Sequence, residues 1–253
     1  MKMKWTALYF SLSVLFFFGC SENPEIDIQN EDIEILDDTK QNEEEETDSE
    51  TSNGNTIKIL SLGDSYTIGE SVCETCRFPE QLKDSLLLKV TTASSIQLKI
   101  IAQTGWTTSR LINAIATDNP TSDYDLVTLL IGVNNEYQNR PFSVYETEFP
   151  QLVNKAIEKG NGDKSHVIIV SIPDYAFTPF GRGNTNTSTR LDMYNNFAKT
   201  YCINNNISYV NITDITREGL IKPELVASDG LHPSAIAYSK FVERILPVAL
   251  EKL

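Results

Sequence analysis

From Thr56 onward the sequence alternates between short, almost wholly apolar runs and longer stretches whose apolar residues recur at helical spacing. An apolar run without polar alternation is what a strand looks like when both of its faces are covered. A helix between successive strands makes them run parallel. This one feature confines the chain to an α/β sheet fold, and no internal repeat points to a solenoid. The strand-like runs are 57–62, 96–102, 126–131, 167–172 and 207–212, and the helical stretches are 79–89, 107–115, 144–159, 189–204 and 234–250. Pro79 sits in a first turn, where proline is tolerated, and Thr107, Thr108 and Ser109 are N-cap candidates. Leu191, Tyr194, Phe197, Ala198 and Tyr201 share one helix face. Five strands separated by helices predict a three-layer, doubly wound parallel sheet over residues 56–253. In such sheets functional groups collect at the carboxyl ends of strands, so a motif that directly follows a strand carries the most weight.

The first 55 residues have a different character. Lys2 and Lys4 precede an uncharged stretch, 5–18, that is too short to span a bilayer comfortably and suits the core of a signal peptide, 1–19. Gly19-Cys20 ends it and resembles a bacterial lipoprotein cleavage site, at which Cys20 would become the lipid-bearing first residue of the mature chain. Phe17 departs from that pattern, which prefers leucine there. The alternative is ordinary secretion with Cys20 unmodified. Residues 21–55 hold 14 of the 35 acidic residues and a single base, Lys40, with no aromatic residue. Such a segment offers too little apolar surface to offset its ordering entropy, so 20–55 reads as a solvated, disordered tether from a membrane anchor to the domain. Glu22, Glu25 and Asp27 also resemble the surface-export signals of some bacterial lipoproteins. The expected location is the bacterial cell envelope, lipid-anchored, periplasmic or surface-facing. The remainder, 56–253, carries 21 acids against 18 bases. A nearly neutral domain behind an acidic tail argues against non-specific nucleic-acid binding, which depends on Lys and Arg meeting phosphates.

Three further cysteines remain, Cys73, Cys76 and Cys202. Cys73-Glu-Thr-Cys76 is at most half of a zinc knuckle, and it lies in a loop rather than at the helix start where a redox pair gains its low thiol pKa. In an oxidising compartment a local disulfide is the plainer reading. Cys202 lies in an apolar stripe and reads as a buried thiol.

Four segments follow strands: Gly63-Asp64-Ser65, Thr104-Gly105-Trp106, Gly132-Val133-Asn134-Asn135 and, beyond a loop, Asp229-Gly230-Leu231-His232. The chain has two histidines, and His166 begins a strand, away from the strand tips. His232 is therefore the one credible imidazole base, and Asp229 is close enough in sequence to orient it through a tight turn. Gly63-Asp64-Ser65, Gly105, Gly132-x-Asn134 and Asp229-x-x-His232 together resemble the four blocks of the GDSL/SGNH hydrolase superfamily, in that family's order, over most of the domain. The resemblance implies a flavodoxin-like sheet and a cofactor-free serine esterase. It implies Ser65 as nucleophile, His232 as base and Asp229 as triad acid. The oxyanion hole would be the backbone N–H groups of Ser65 and Gly105 with the Asn134 side-chain amide. Glycine at 105 suits the approach of a substrate carbonyl, because no Cβ stands in its way.

Two positions depart from the family pattern. Asn135 stands where aspartate is frequent, a position read as structural, and bulky Trp106 follows Gly105, either walling an acyl pocket or packing beneath it. Asp64 reads as a loop-ordering residue. The loops around Tyr137 and at 173–177 mix aromatics with hydrogen-bonding groups, suiting either a polar ligand or ordinary loop packing. Segment 178–189, with Arg182, reads as a polar, flexible rim or lid. The functions weighed are a serine esterase, with a glycan O-deacetylase among its forms, then a lysophospholipase or thioesterase, a non-catalytic binding lipoprotein and CxxC thiol chemistry. No metal ligand cluster or phosphate-binding loop is found, and the expected partners are a small-molecule or glycan ester and a membrane.

Overall fold

Asn55–Gly63 forms β1, and its last five residues are all buried. The structure, a computed structural model, describes residues 55–253. The segment read as a signal peptide, Cys20 and the segment read as a tether, through residue 54, lie outside the described residues. After β1 come α1 (Ser65–Ile68), α2 (Phe78–Lys89), β2 (Ala93–Ala102), α3 (Thr108–Asp118), β3 (Leu126–Leu130), α4 (Val133–Tyr137) and α5 (Phe142–Lys159). The chain continues through β4 (Val167–Val170), α6 (Thr185–Asn205), β5 (Ser208–Val210), α7 (Thr213–Thr216) and α8 (Ala235–Leu250).

The five strands lie in the order β2-β1-β3-β4-β5, and every neighbouring pair is parallel. Right-handed crossovers then decide which face each helix covers. The chain moves outward from β1 to the edge strand β2 through α2, then turns back past β1 to β3 through α3, so these helices take opposite faces. The later crossovers continue in the second direction, and α5 packs between α3 and α6. α8 returns to pack on α2. Helices on both faces explain why β3 and β4 are buried along their whole length.

Two expectations from the sequence need correction. β4 and β5 end earlier than the apolar runs suggest. Beyond Val170 the chain leaves the ladder, and the Ser171 hydroxyl accepts the Ile212 N–H (2.8 Å) and donates to Asn211 Oδ1 (3.1 Å). α6 begins at Thr185, inside the segment read as a flexible rim. Its start is fixed by Asn184, whose side-chain oxygen accepts the N–H groups of Asn186 and Thr187 at 3.1 and 3.3 Å.

Candidate active site

Gly63 pairs with Ala102 on one side and Leu130 on the other, so β1, β2 and β3 end flush. The chain crosses to opposite faces on either side of β1, which places a crevice at these ends. Asp64, wholly buried, follows β1 and caps α1 by accepting the Tyr66 N–H at 3.1 Å. Burial pushes its carboxyl up to about 7, against the pull of hydrogen bonds from Tyr66 and Asn134. Ser65 is therefore the first residue of α1, with a main-chain N–H that no described residue takes up.

After β2 the chain turns through 103–106, closed by the Trp106 N–H on the Gln103 carbonyl (3.2 Å). Gly105 has φ +82 and a Cβ there would meet nothing within 4 Å. The left-handed backbone is thus the reason for glycine at this position, over any crowding by protein atoms. After β3, Gly132 takes φ +132, and a Cβ would stand 2.6 Å from the Tyr145 ring. α4 then holds the crevice together. Asn134 points its amide toward Asp64 Oδ2 (3.5 Å), and the Gln138 side chain donates to the Gly105 carbonyl at 2.8 Å. Asn135 accepts the Thr108 N–H (3.0 Å) and donates to the Thr108 hydroxyl (2.6 Å), supplying the cap for α3 that Thr107 does not. That is the structural role read for it. Glu136, buried, accepts from Tyr175 (2.6 Å) and Arg190 (2.6 Å) and so ties α4 to α6.

The last component is the turn before α8. Asp229 Oδ1 accepts the N–H groups of Leu231 (2.9 Å) and His232 (3.0 Å). Its Oδ2 lies 2.6 Å from His232 Nδ1 and accepts the Ser71 hydroxyl at 2.7 Å. Partial burial pushes the Asp229 carboxyl up, but the His232 ring, the two N–H groups and Ser71 outweigh it and hold it at about 2. An ionised carboxylate accepts, so Nδ1 carries the proton and Nε2 is free to take another. The Tyr66 ring packs against the imidazole with centroids 5.1 Å apart.

Ser65, Gly105, Asn134 and His232 line one cavity of about 190 Å³, walled by Tyr137, Tyr175 and Phe180. No hydrogen bond joins the Ser65 hydroxyl to His232 among the described residues. Trp106 lies outside this cavity and faces a separate depression beside β2 with Gln103 and Arg110. Arg182 is exposed, and His166 bonds the Gly160 carbonyl (3.0 Å) at the far end of β4. Cys73 and Cys76 are joined by a disulfide, and Cys202 is a buried free thiol whose pKa burial raises to about 12. Sequence reasoning missed Ser71 and the roles of Glu136 and Gln138, since nothing local marks contacts that span up to 158 positions. Among the described residues no cluster of three or more His, Cys, Asp or Glu side chains is arranged to hold a metal, and no helix is long and apolar enough to cross a membrane.

An α/β sheet with a Ser, His and Asp at its carboxyl edge defines a hydrolase-like class, and comparison places it further. Residues 61–240 match the GDSL-like lipase/acylhydrolase family, so the chain belongs to that family and is an ester-bond hydrolase. Similar solved structures include a lipolytic G-D-S-L family protein from Veillonella parvula (20% identity, TM-score 0.57, covering 77% of this chain and 97% of that one). An acetylxylan esterase from Geobacillus stearothermophilus is 18% identical with TM-score 0.58, covering 78% of this chain and 95% of its own. A psychrotrophic esterase from Pseudoalteromonas sp. is also 18% identical, with TM-score 0.53, covering 77% and 97%. At these identities the likeness is one of fold. No curated protein sequence matches the chain.

Proposed function

We propose that the protein is a serine esterase for short acyl esters, with O-acetyl groups on a glycan as the substrate class. Ser65 is the nucleophile, His232 the general base and Asp229 the acid that orients it. The observation that carries this reading is the 2.6 Å Asp229–His232 contact opening on the same cavity as Ser65, Gly105 and Asn134. Asp229 fixes Nδ1–H, leaving Nε2 to accept the serine proton once the hydroxyl rotates onto it. The carbonyl oxygen, as it becomes an oxyanion, receives the N–H groups of Ser65 and Gly105 and the Asn134 amide. His232 then protonates the leaving alcohol, and the same imidazole activates water to clear the acyl-enzyme.

Two features support a short acyl group. The cavity, at about 190 Å³, is smaller than the roughly 300–1,000 Å³ of typical ligand pockets. Three bulky rings, Tyr137, Tyr175 and Phe180, are among its lining residues and take up room that a long chain would need. The solved acetylxylan esterase of the same fold makes a glycan alcohol a natural first choice. We propose further that Cys20 carries lipid and holds the domain at the bacterial envelope. Incorporation of an alkyne fatty acid, absent in Cys20→Ala, tests that.

The test of the activity compares hydrolysis of 4-nitrophenyl acetate and 4-nitrophenyl palmitate by wild type, Ser65→Ala and His232→Ala. The expected result is acetate hydrolysis that falls at least about 10³-fold in both variants, with an organophosphonate probe labelling Ser65. Equal rates in all three proteins together with no labelling would refute the serine mechanism. Faster turnover of the palmitate ester would replace the short-acyl reading with a lipid one.

A further inference from the structure

The segment 69–77, between α1 and α2, lines no part of the cavity, yet it is bonded to both halves of the site. Ser71 donates its hydroxyl to Asp229 Oδ2 at 2.7 Å. Its neighbour Glu70 accepts the hydroxyl of Thr104, in the turn that carries Gly105. Of the four hydrogen bonds on the Asp229 carboxylate, three come from its own turn, through Leu231 N–H, His232 N–H and the His232 ring. These three move with the turn. Among the described residues, Ser71 alone ties the carboxylate to another part of the fold. The segment itself is well anchored. Cys73 and Cys76 are joined, and Arg77 at its end pairs with Glu74 (2.9 Å) and Glu80 (3.0 Å). Ser71 is held at φ +66, a conformation a residue with a Cβ keeps only when its surroundings over-determine it.

We propose that segment 69–77 is a positioning clamp, in which Ser71 fixes the carboxylate that orients His232 and Glu70 fixes the turn that presents the Gly105 N–H. The inference rests on the assignment of Asp229 and His232 as the catalytic pair. Ser71 draws electron density from the carboxylate as well as aiming it. Without that bond the carboxylate becomes a stronger acceptor for the Nδ1 proton, and the imidazolium is stabilised. The acid limb of kcat/KM then moves to higher pH. The titratable groups around the pair are Asp64 and Tyr66 from the α1 turn, Glu70 from the clamp, Tyr175 across the cavity and Tyr238 from α8, and a change at Ser71 alters none of them.

Three variants of the full chain test this. Ser71→Gly keeps the backbone conformation and removes the donor. Ser71→Asn tolerates the same backbone and returns an N–H donor. Glu70→Gln weakens the hold on Thr104 without touching Asp229. The expected result for Ser71→Gly on 4-nitrophenyl acetate is a loss of about tenfold in kcat, with KM nearly unchanged and the acid limb displaced upward. Ser71→Asn recovers most of kcat and the original limb, and Glu70→Gln lowers kcat with the limb in place. A Ser71→Gly enzyme with wild-type kcat and pH profile overturns the clamp, provided Ser65→Ala is inactive in the same assay. So does an equal loss in Ser71→Gly and Ser71→Asn that tracks a fall in Tm. Activity that survives Ser65→Ala refutes the serine esterase reading instead.

Discussion

Asp64 sits directly before Ser65 with its carboxyl wholly out of water. The unfolded chain releases that proton near 3.8 and the folded chain near 7. The folded state therefore binds the extra proton between these values, and stability falls as the pH rises across them. The contribution is fully present below pH 4 and is lost as the pH passes through 7. At about 1.4 kcal/mol per tenfold change in proton affinity, the span corresponds to about 4 kcal/mol. Asp64→Asn removes the ionisation and leaves an oxygen that can accept the Tyr66 N–H. The variant should fall short of wild type near pH 4 by up to ~1 kcal/mol, the cost of an altered cap, and exceed it near pH 8 by about 3 kcal/mol. The new amide nitrogen faces the Asn134 amide nitrogen, since the present contact is 3.5 Å from Nδ2 to Oδ2. Two donors cannot share that contact, so one amide must turn. If Asn134 turns, the proposed mechanism loses one of its oxyanion donors, and kcat should fall about 10²-fold. Urea unfolding at the two pH values, beside ester kinetics, reads both effects. A stability difference between wild type and variant that is the same at pH 4 and pH 8 would refute the reasoning.

Gly132→Ala brings a Cβ to 2.6 Å from the fully buried Tyr145 ring in a backbone conformation foreign to alanine. It should cost about 2 kcal/mol or more, seen as a lowered Tm. Dithiothreitol should open the Cys73–Cys76 bond, whose Cys73 is exposed, and lower stability by no more than about 2 kcal/mol, because the closed loop is short. A greater proportional loss of kcat than of stability is expected, and thiol titration should find Cys202 unreactive in the native state. Removal of residues 1–55 should leave a soluble protein with unchanged kcat, measured against the full chain in detergent.

The strand positions were legible because β1, β3 and β4 are covered on both faces and so write themselves as unbroken apolar runs. The four motif segments could then be placed at strand ends, which is where Ser65, Gly105 and Asn134 emerge. The start of α6 was not legible. Thr-Asn-Thr-Ser-Thr carries no apolar period, and the helix is set instead by the Asn184 cap and packing further along. Trp106 had two readings because a sequence says which residue follows Gly105 but not which side of the turn it takes. Ser71 was invisible for a different reason, since its value lies in one contact with a residue 158 positions away. Gly105 was noticed for the room it leaves a substrate carbonyl, and the structure adds a second reason for glycine, a φ of +82.

The packing of α8 on α2 has a kinetic consequence. α2 follows Ser65 early in the chain and α8 follows His232 late in it, so their contact is among the most non-local in the domain. Contacts of that kind pay their loop-closure entropy before they yield any stabilisation, and they form slowly. Ser65 can be placed by the first strands, but His232 reaches it only when the turn before α8 docks. In a refolding experiment, ester hydrolysis should therefore lag behind the recovery of secondary structure, and the onset of turnover reports the closing of this final seam.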